Sequence, residues 1–450
     1  MPATTLTRRG FLMGCSAAIA SLAGARLTHL AFADPSSSAS TNNEILIAIF
    51  LRGGWDALNV IPPLGGDDRA YYEAARSTLK VPTSGSGAAI PLSGQFGLHP
   101  SLAPLLGLYQ SGRLAVVHAV GLTSDTRSHF DAMQFMELGT PGVKSTTSGW
   151  ITRHLQSAPS LPSPVLLPAL SAGSAQAASL LSFPDAAAMS SPSSFRFAGN
   201  WKYRESQRDA LRNLYSGSDW LHQAGTHTLD IATAIEAANP STYTPANGAT
   251  YPTGSFGDNL KVVAQMIKLD FGLRAATIDL GGWDTHENQG VAAGSYMPSL
   301  LDTLARGMAA FYTDLDGCGA GAYTGRLTMA VMSEFGRRLR QNANGGTDHG
   351  HGSVMLALGG SVNGGQVYGT WPGLLTDQLY DHADLDVTTD YRRVLSDILT
   401  RRLGNSNLDF VFPGYTGYQP LGIVRETPPP TPPPDSPYRV FLPLVSRCGP

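Results

Sequence analysis

Glu44-Ile-Leu-Ile-Ala-Ile-Phe-Leu51, followed by Arg52-Gly53-Gly54-Trp55-Asp56, is the most informative segment of this 450-residue chain. Its apolar, β-branched first part predicts a buried strand. The two glycines then allow a sharp turn, and a carboxylate follows at once. Functional groups in open α/β sheets gather where strands end and loops begin. We therefore expect Asp56 to lie at a sheet edge where other polar side chains converge.

Strand and helix patterns alternate after this segment. Residues 114–120 (LAVVHAV) predict a second strand, and a helix follows from about Ser128 to Leu138. Similar signals recur along the chain, with strands at 273–280, 327–332 and 354–358 and helices at 100–111, 200–236, 259–268, 296–315 and 390–403. This alternation indicates an α/β fold with a mainly parallel central sheet. The first Gly-Gly-Trp-Asp is echoed by Gly281-Gly282-Trp283-Asp284, which also follows an apolar strand.

The N-terminus has the features of a twin-arginine signal peptide in the expected order. Arg8 and Arg9 precede Phe11, an apolar alanine-rich stretch follows, and Ala31-Phe-Ala33 offers a small-x-small cleavage site. The alternative is a frayed N-terminal helix with a chance arginine pair. We predict a signal peptide over 1–33, export by the twin-arginine pathway, and a mature protein in the periplasm, at the cell surface or secreted.

The rest of the chain divides by composition. We predict a flexible leader at 34–43, one domain over 44–425 with an insertion around 150–256, a Pro-rich linker at 426–437 and a short apolar tail at 438–450. The tail could dock to the envelope or a partner, or fold back as a strand on its own domain. Cys318 and Cys448 could pair in an oxidising compartment, but two cysteines do not make a disulfide framework.

Composition excludes some classes of partner. Charged residues make up only 14% of the chain, and 50 glycines and 31 prolines suit a loop-rich secreted protein. A formal net charge of −3 with few lysines gives no electrostatic footprint for nucleic acid. Beyond the signal, no hydrophobic stretch is long enough to span a bilayer, so we expect no transmembrane span after signal removal.

Carboxylates and histidines stand at several predicted strand ends, and such groups converging from separate elements can bind divalent metals. The candidate metal ligands are Asp56, Asp284, His286, Glu334, Asp348, His349 and His351. Ser128, at a helix N-terminus, is suited to hold or attack an anion. Each also has a simpler explanation: the aspartates could cap helices, the late histidines could bond to backbone, and Glu334 could form a surface ion pair.

Six motifs, in order within about residues 44–425, resemble the domain of unknown function 1501 family of exported bacterial proteins. They are Leu51-Arg-Gly-Gly-Trp-Asp-Ala-Leu-Asn59, Leu98-His-Pro-Ser101, Ser128-His-Phe-Asp-Ala132, Gly282-Trp-Asp-Thr-His286, Ser333-Glu-Phe-Gly-Arg337 and Asp348-His-Gly-His351. The resemblance implies the alkaline-phosphatase-like, or sulfatase-like, superfamily. It implies a three-layer sandwich, in which helices cover both faces of a mainly parallel sheet, and a two-metal site at the strand ends.

The resemblance also implies roles for individual residues. Asp56 and Asp284 with His286 would bind metal, Ser128 would be the nucleophile, and His349 or His351 would be the late histidine ligand. One motif departs from the superfamily, which usually has Asp-His after the strand that here ends at Ser333. There Glu334 could replace the aspartate, but neither Phe335 nor Gly336 can replace the histidine. A second metal would therefore have few ligands, use Asp348 as a ligand, or be absent.

Two classes of function follow. The first is a metal-dependent hydrolase of phosphate or sulfate esters, with one or two Zn, Mn, Ca or Mg ions. Ser128 would attack the phosphorus or sulfur, and Asn59 and Arg337 could hold the ester oxygens. The second is a non-catalytic envelope protein on the same scaffold, with one structural metal or none, that binds polysaccharide or a protein partner. The carboxylate and histidine set favours the first, and the Pro-rich tail with the missing ligand favours the second.

Overall fold

A computed structural model describes residues 43–158, 165–195, 200–238, 243–317 and 322–426 of the chain. The predicted signal peptide, the Pro-rich linker and the apolar tail lie outside the described residues, apart from Glu426 of the linker. The predicted leader is described only at Asn43, and both Cys318 and Cys448 also lie outside. None of the helices in the described ranges is both long and apolar enough to cross a lipid bilayer.

Strands and helices alternate over much of the described chain, as the sequence pattern predicts, although no α-helix lies among the strands between Leu327 and Asp390. The strands are β1 (Ile45–Arg52), β2 (Ile90–Pro91), β3 (Gly97–Leu98), β4 (Leu114–Gly121), β5 (Ala169–Ala172), β6 (Ala186–Met189), β7 (Ala275–Gly281), β8 (Leu327–Met332), β9 (Arg337–Gln341), β10 (Thr347–His349), β11 (Ser353–Leu358), β12 (Val367–Tyr368) and β13 (Thr389–Asp390). The α-helices are Ala57–Val60, Gly66–Ala75, Leu106–Gln110, His129–Leu138, Trp150–Ser157, Arg204–Leu214, Trp220–Ala237, Ser255–Lys268, Tyr296–Leu315, Tyr391–Arg401 and Leu408–Val411.

One large sheet organises the described part of the chain. Its order is β12-β4-β11-β8-β1-β7-β5-β6, and β13 also pairs with β4. The central strand β1 lies parallel to β7 on one side and to β8 on the other. Strand β11 runs antiparallel to both of its neighbours, β4 and β8. The sheet is therefore mixed but mainly parallel, and the predicted α/β class is confirmed.

Helices cover both faces of this sheet because successive side chains of a strand point to opposite faces. On one face, Ile47 and Ile49 of β1 belong to a buried apolar cluster with residues of the helices Ser255–Lys268 and Tyr296–Leu315. On the other face, Ala48 and Phe50 belong to a second cluster with residues of the helices His129–Leu138, Trp150–Ser157 and Tyr391–Arg401. The sheet is thus the middle of three layers, and burial on both sides explains why β1 is apolar up to its last residue, Arg52.

The segment 165–195 lies within the insertion predicted around 150–256. It supplies β5 and β6, which extend the sheet itself beyond β7. These strands are four residues long and rich in alanine (ALSA and AAAM), and alanine has a low β propensity. They form because the exposed edge of β7 offers unpaired backbone groups, a tertiary influence that the local sequence does not carry.

The predicted helix at 100–111 is also irregular. It begins as a 3-10 helix, Pro100–Leu105, and becomes α-helical only over Leu106–Gln110. Pro104 lies inside the first part, where its missing N–H cannot support α-helical hydrogen bonding. By contrast, the helix Tyr296–Leu315 and the strand Leu327–Met332 have the predicted bounds.

Candidate metal centre

The carboxyl ends of β1 and β7 meet at one edge of the sheet, because the two strands are parallel neighbours. Each end carries a Gly-Gly-Trp-Asp sequence, and the rings of Trp55 and Trp283 pack edge to face with centroids 5.8 Å apart. Gly53 has φ +125°, and a Cβ there would overlap the backbone nitrogen of Asp284. The close approach of the two turns therefore requires glycine at this position.

Asp284 is the centre of a group of imidazoles. Its Oδ1 lies 3.3 Å from Nε2 of His129, 3.0 Å from Nε2 of His286 and 3.1 Å from Nε2 of His349. The Nε2 atoms of His286 and His349 are themselves 2.9 Å apart. We call these four residues the His–Asp cluster. They come from three separate places in the chain: His129 from a helix start, Asp284 and His286 from the segment after β7, and His349 from β10.

The second nitrogen of each imidazole contacts an oxygen acceptor. Nδ1 of His129 lies 2.7 Å from the Glu334 carboxylate, and Nδ1 of His286 lies 3.2 Å from the Asp348 carboxylate. Nδ1 of His349 lies 2.9 Å from the backbone carbonyl oxygen of Arg127. Since those oxygens can only accept, each Nδ1 is assigned as the donor, and each Nε2 is left to face Asp284.

This arrangement has the pattern of metal-ligating histidines, which usually donate their other ring N–H to a carboxylate or a backbone carbonyl. No described residue gives a hydrogen bond to the buried Nε2 of His129. Two imidazole nitrogens and a carboxylate oxygen about 3 Å apart, with lone pairs facing each other, repel unless a cation or proton lies between them. The group His129, Asp284 and His349 has ligand atoms within 4.8 Å of one another and could hold a metal ion.

The spacing also fits. Donors about 2.0–2.1 Å from a tetrahedral metal lie about 3.3 Å from each other. The three Asp284-to-histidine separations are 3.3, 3.0 and 3.1 Å. His129, Asp284 and His349 therefore fit a divalent metal.

Arg337 and Glu334 support the cluster from beneath. Arg337 is buried and donates to Oδ1 of Asp284 at 2.7 Å, and its other N–H groups donate to backbone carbonyls that include those of Gly54 and Thr347. The fully buried Glu334 accepts the N–H of Gly53 at 2.8 Å on the same Oε1 that contacts His129. The strand ends and the ligands are thus held by one hydrogen-bonded frame.

Electrostatics favour an ionised Asp284 and a cation beside it. Partial burial alone would raise the pKa of Asp284, but the Arg337 guanidinium, aided by His349 and His129, holds that pKa well below its usual range. Burial alone would lower the pKa of His129, but the carboxylates of Glu334 and Asp284 raise it. Burial and the neighbouring charges of His129 and Arg337 lower the pKa of His349. A positive charge between Glu334 and Asp284 is therefore stabilised, and a proton on His129 can supply it when no metal does.

The cluster can be reached from solvent. The side chain of Asp284 is 48% exposed and that of His286 is 39% exposed, whereas those of His349 and His129 are 24% and 19% exposed. The cluster is therefore open on the side of Asp284 and His286, and a small molecule could approach there.

Several residues predicted for the site lie elsewhere. Asp56 is buried, and both of its oxygens bond to the guanidinium of Arg76, so its carboxylate is already neutralised by an ion pair. Asn59 is fully buried and bonds to Arg76, Tyr72 and the carbonyl of Leu79. His351 stacks on Tyr380 with ring centroids 4.0 Å apart, away from the cluster contacts.

Other predicted residues lie at the cluster in supporting positions. Asp348 orients His286, and Glu334 orients His129. The N–H groups of Arg337 donate to backbone carbonyl oxygens and to Asp284. Ser128 is exposed and caps the helix His129–Leu138, where its Oγ accepts the N–H of Asp131 at 3.5 Å. Both chain neighbours of Ser128 contact the cluster, through the carbonyl of Arg127 and the ring of His129.

His129 was not among the metal ligands predicted from the sequence. A histidine in the first turn of a helix carries no local metal signal, and it became visible only as the residue after Ser128 in the motif Ser128-His-Phe-Asp-Ala132. Gln289 and Asn342, which bond to residues of the two ligand loops, gave no signal at all.

The sequence model of the family described as "Protein of unknown function (DUF1501)" matches residues 202–408, a range that includes Asp284, His286 and His349 but not His129. No protein of curated function matches the chain.

Among solved structures, the chain is similar to alkaline phosphatase from the Antarctic bacterium TAB5, with 11% identity and a TM-score of 0.28 over 71% of this chain and 92% of that one. A variant of TAB5 alkaline phosphatase with magnesium bound in its M3 site is similar at 11% identity and a TM-score of 0.25, over 71% and 91% of the two chains.

Proposed function

We propose that this protein is a metal-dependent hydrolase of phosphate or sulfate esters. One observation carries the proposal: three imidazoles, each with Nδ1 on an oxygen acceptor, direct their Nε2 atoms at a single carboxylate oxygen of Asp284. His129, Asp284 and His349 would bind the metal, which leaves a position open beside the exposed His286. A donor set of two imidazole nitrogens and one carboxylate oxygen favours zinc or another transition metal over magnesium or calcium.

The metal, when bound, would supply Lewis acidity toward an ester oxygen. The protein's own residues set up that chemistry. Glu334, Asp348 and the Arg127 carbonyl fix the imidazole orientations, and Arg337 keeps Asp284 ionised and in place. The exposure of Asp284 and His286 supports a catalytic rather than a purely structural centre, since structural metal sites are usually closed by their ligands.

Ser128 is the proposed nucleophile. Its hydroxyl would attack the phosphorus or sulfur as the alcohol leaves, and water would then release the acid from the serine. Its exposure and its place directly before His129 support this role. The first-turn N–H groups of the helix His129–Leu138 are suited to hold the ester oxygens, because helix N-termini favour anions. They take the role that the sequence suggested for Asn59 and Arg337, whose donors are engaged elsewhere.

We further propose that the protein belongs to the domain of unknown function 1501 family and acts outside the cytoplasm. The six motifs and the family match over 202–408 support the first proposal. The arginine pair at Arg8 and Arg9, the apolar stretch and the Ala31-Phe-Ala33 site support the second.

The test is hydrolysis of 4-nitrophenyl phosphate and 4-nitrophenyl sulfate by the purified protein loaded with zinc or manganese. We expect turnover of one of them, its loss in Asp284→Ala, and a loss of at least about a hundredfold in Ser128→Ala. Ser255→Ala, an exposed serine at the start of another helix, is the matched control and should be fully active. Metal binding without any hydrolysis would instead favour the non-catalytic envelope protein.

A further inference from the structure

We infer that Gln289 is a positioning residue of the His–Asp cluster, and this inference rests on the proposed metal centre. Gln289 is fully buried. Its Oε1 accepts hydrogen bonds from the hydroxyls of Thr285, at 2.9 Å, and Thr347, at 2.8 Å. Its Nε2 donates to Oδ2 of Asp56 at 2.7 Å. The side chain therefore touches no cluster residue directly but bonds to three groups beneath the cluster.

The two threonines flank the cluster residues in sequence. Thr285 lies between Asp284 and His286, and Thr347 is two residues before His349. The N–H of Thr347 also donates to the carbonyl oxygen of Thr285 at 3.0 Å, so the two loops already run side by side. One amide oxygen thus joins both loops through hydroxyls, and it sets the distance between the backbones that carry the ligands.

The approach of these loops is close. A Cβ at position 346 would overlap the backbone of Thr285 and His286, so glycine is needed there. The backbone N–H of Gln289 donates to the carbonyl oxygen of Gly345 at 2.9 Å. The two loops are packed backbone to backbone. A substitution that shifts one loop therefore also shifts the metal ligand on that loop.

Asp56 gives the network a fixed end. Its two oxygens bond to Arg76, which also donates to the carbonyl of Leu339 at 2.9 Å and to Oδ1 of Asn59 at 2.7 Å. The carboxylate accepts only, so it orients the Gln289 amide with its nitrogen toward Asp56 and its oxygen toward the threonines. Asp56 therefore supports the His–Asp cluster indirectly, through its hydrogen bond with Gln289.

No other standard side chain reproduces this pattern. A glutamate in place of Gln289 would put a second carboxylate against Asp56, and methionine, of similar size and shape, would make none of the three hydrogen bonds. Partners that orient metal ligands typically change metal affinity by about 10–100-fold when they are removed. Because Gln289 acts through backbone, we expect Gln289→Met to weaken zinc binding about tenfold.

The experiment measures the zinc Kd of the full chain by competition with a chromophoric chelator, together with the visible spectrum of the cobalt(II)-loaded protein. Gln289→Met should weaken zinc binding about tenfold and shift the cobalt bands, which report ligand geometry and not stability. Asn405→Leu is the control: Asn405 is an equally buried amide that bonds to His154 and Ser157. It should leave both the Kd and the spectrum unchanged.

A double-mutant cycle distinguishes an effect transmitted through the Gln289–Thr285 hydrogen bond from a general effect on packing. Thr285→Val alone should weaken zinc binding, whereas in the Gln289→Met background it should add little. Thr285→Val also tests the inference if Gln289→Met does not fold. Absence of zinc binding by the wild type would overturn the proposed metal centre. If the wild type binds zinc and neither Gln289→Met nor Thr285→Val changes the Kd, the role of Gln289 is overturned while the metal centre stands. The same holds if the effects of the two substitutions add fully in the double variant.

Discussion

Replacing Glu334 by glutamine removes one charge beneath the His–Asp cluster and little else. Oε1 of Glu334 accepts from Nδ1 of His129 at 2.7 Å and from the N–H of Gly53 at 2.8 Å, and Oε2 lies 3.0 Å from the hydroxyl of Ser333. The amide oxygen of glutamine can keep the first two bonds, and the amide nitrogen can donate to the hydroxyl. The variant therefore keeps the shape of the site while the bond to His129 becomes neutral.

The magnitude follows from that bond. Hydrogen bonds to charged groups contribute roughly 1.5–3 kcal/mol and neutral ones roughly 0.5–1.5 kcal/mol, so the variant loses about 1–2 kcal/mol of support for the imidazole as a ligand. This corresponds to about a 5- to 30-fold increase in the metal Kd. That value overlaps the range of about 10–100-fold known for partners that orient metal ligands.

The assay is a zinc titration of metal-free protein against a chelator of known affinity, with a thermal melt of the metal-free variant to verify folding. Asp397→Asn is the control, because Asp397 is an equally buried carboxylate that accepts the N–H groups of Leu421 and Ile423. A Kd within twofold of the wild type in folded Glu334→Gln would refute the reasoning. So would an equal change in Asp397→Asn.

Two further predictions concern the frame around the cluster and the apolar core. Gly53→Ala should lower the free energy of unfolding by about 3 kcal/mol in urea denaturation, because a left-handed φ and a clash with Asp284 both oppose a side chain; an unchanged value would contradict this close approach. His118, buried between Phe96 and Trp371, has its pKa lowered by burial to about 3. The unfolded chain takes up that proton near pH 6.5, so this contribution to stability is complete above pH 6.5 and is lost as the pH falls toward 3. Between pH 7 and pH 5 the wild type should lose about 2 kcal/mol more than His118→Phe, and equal losses would contradict the prediction.

The fold class could be predicted because the decisive signals are local. Residues 45–51 are apolar on both faces of the strand, and the alternation of strands and helices that follows leaves few arrangements other than a covered, mainly parallel sheet. Strands β5 and β6 could not be predicted, because four alanine-rich residues form a strand only when a sheet edge is available.

The candidate site could be predicted only in part. Asp284 and His286 follow a predicted strand, and His349 stands in a Gly-rich segment before another, so the sequence indicates that they lie in loops at a sheet edge. Asp56 has the same sequence context as Asp284, yet Arg76 neutralises it in the buried interior. Nothing in the sequence indicates that Arg76, twenty residues after Asp56, or Gln289 would contact this carboxylate. Only the folded structure therefore shows which aspartate is available as a metal ligand and which is held in a buried ion pair.

The metal content of the protein tests the central claim most directly. Wild-type protein would be loaded with zinc, freed of excess metal by gel filtration and measured by elemental analysis beside Asp284→Ala, His349→Ala and Asp397→Asn. We predict close to one zinc per chain in the wild type and in Asp397→Asn, and none in the two cluster variants while both remain folded. Wild-type protein that retains no more zinc than folded Asp284→Ala would contradict the metal centre.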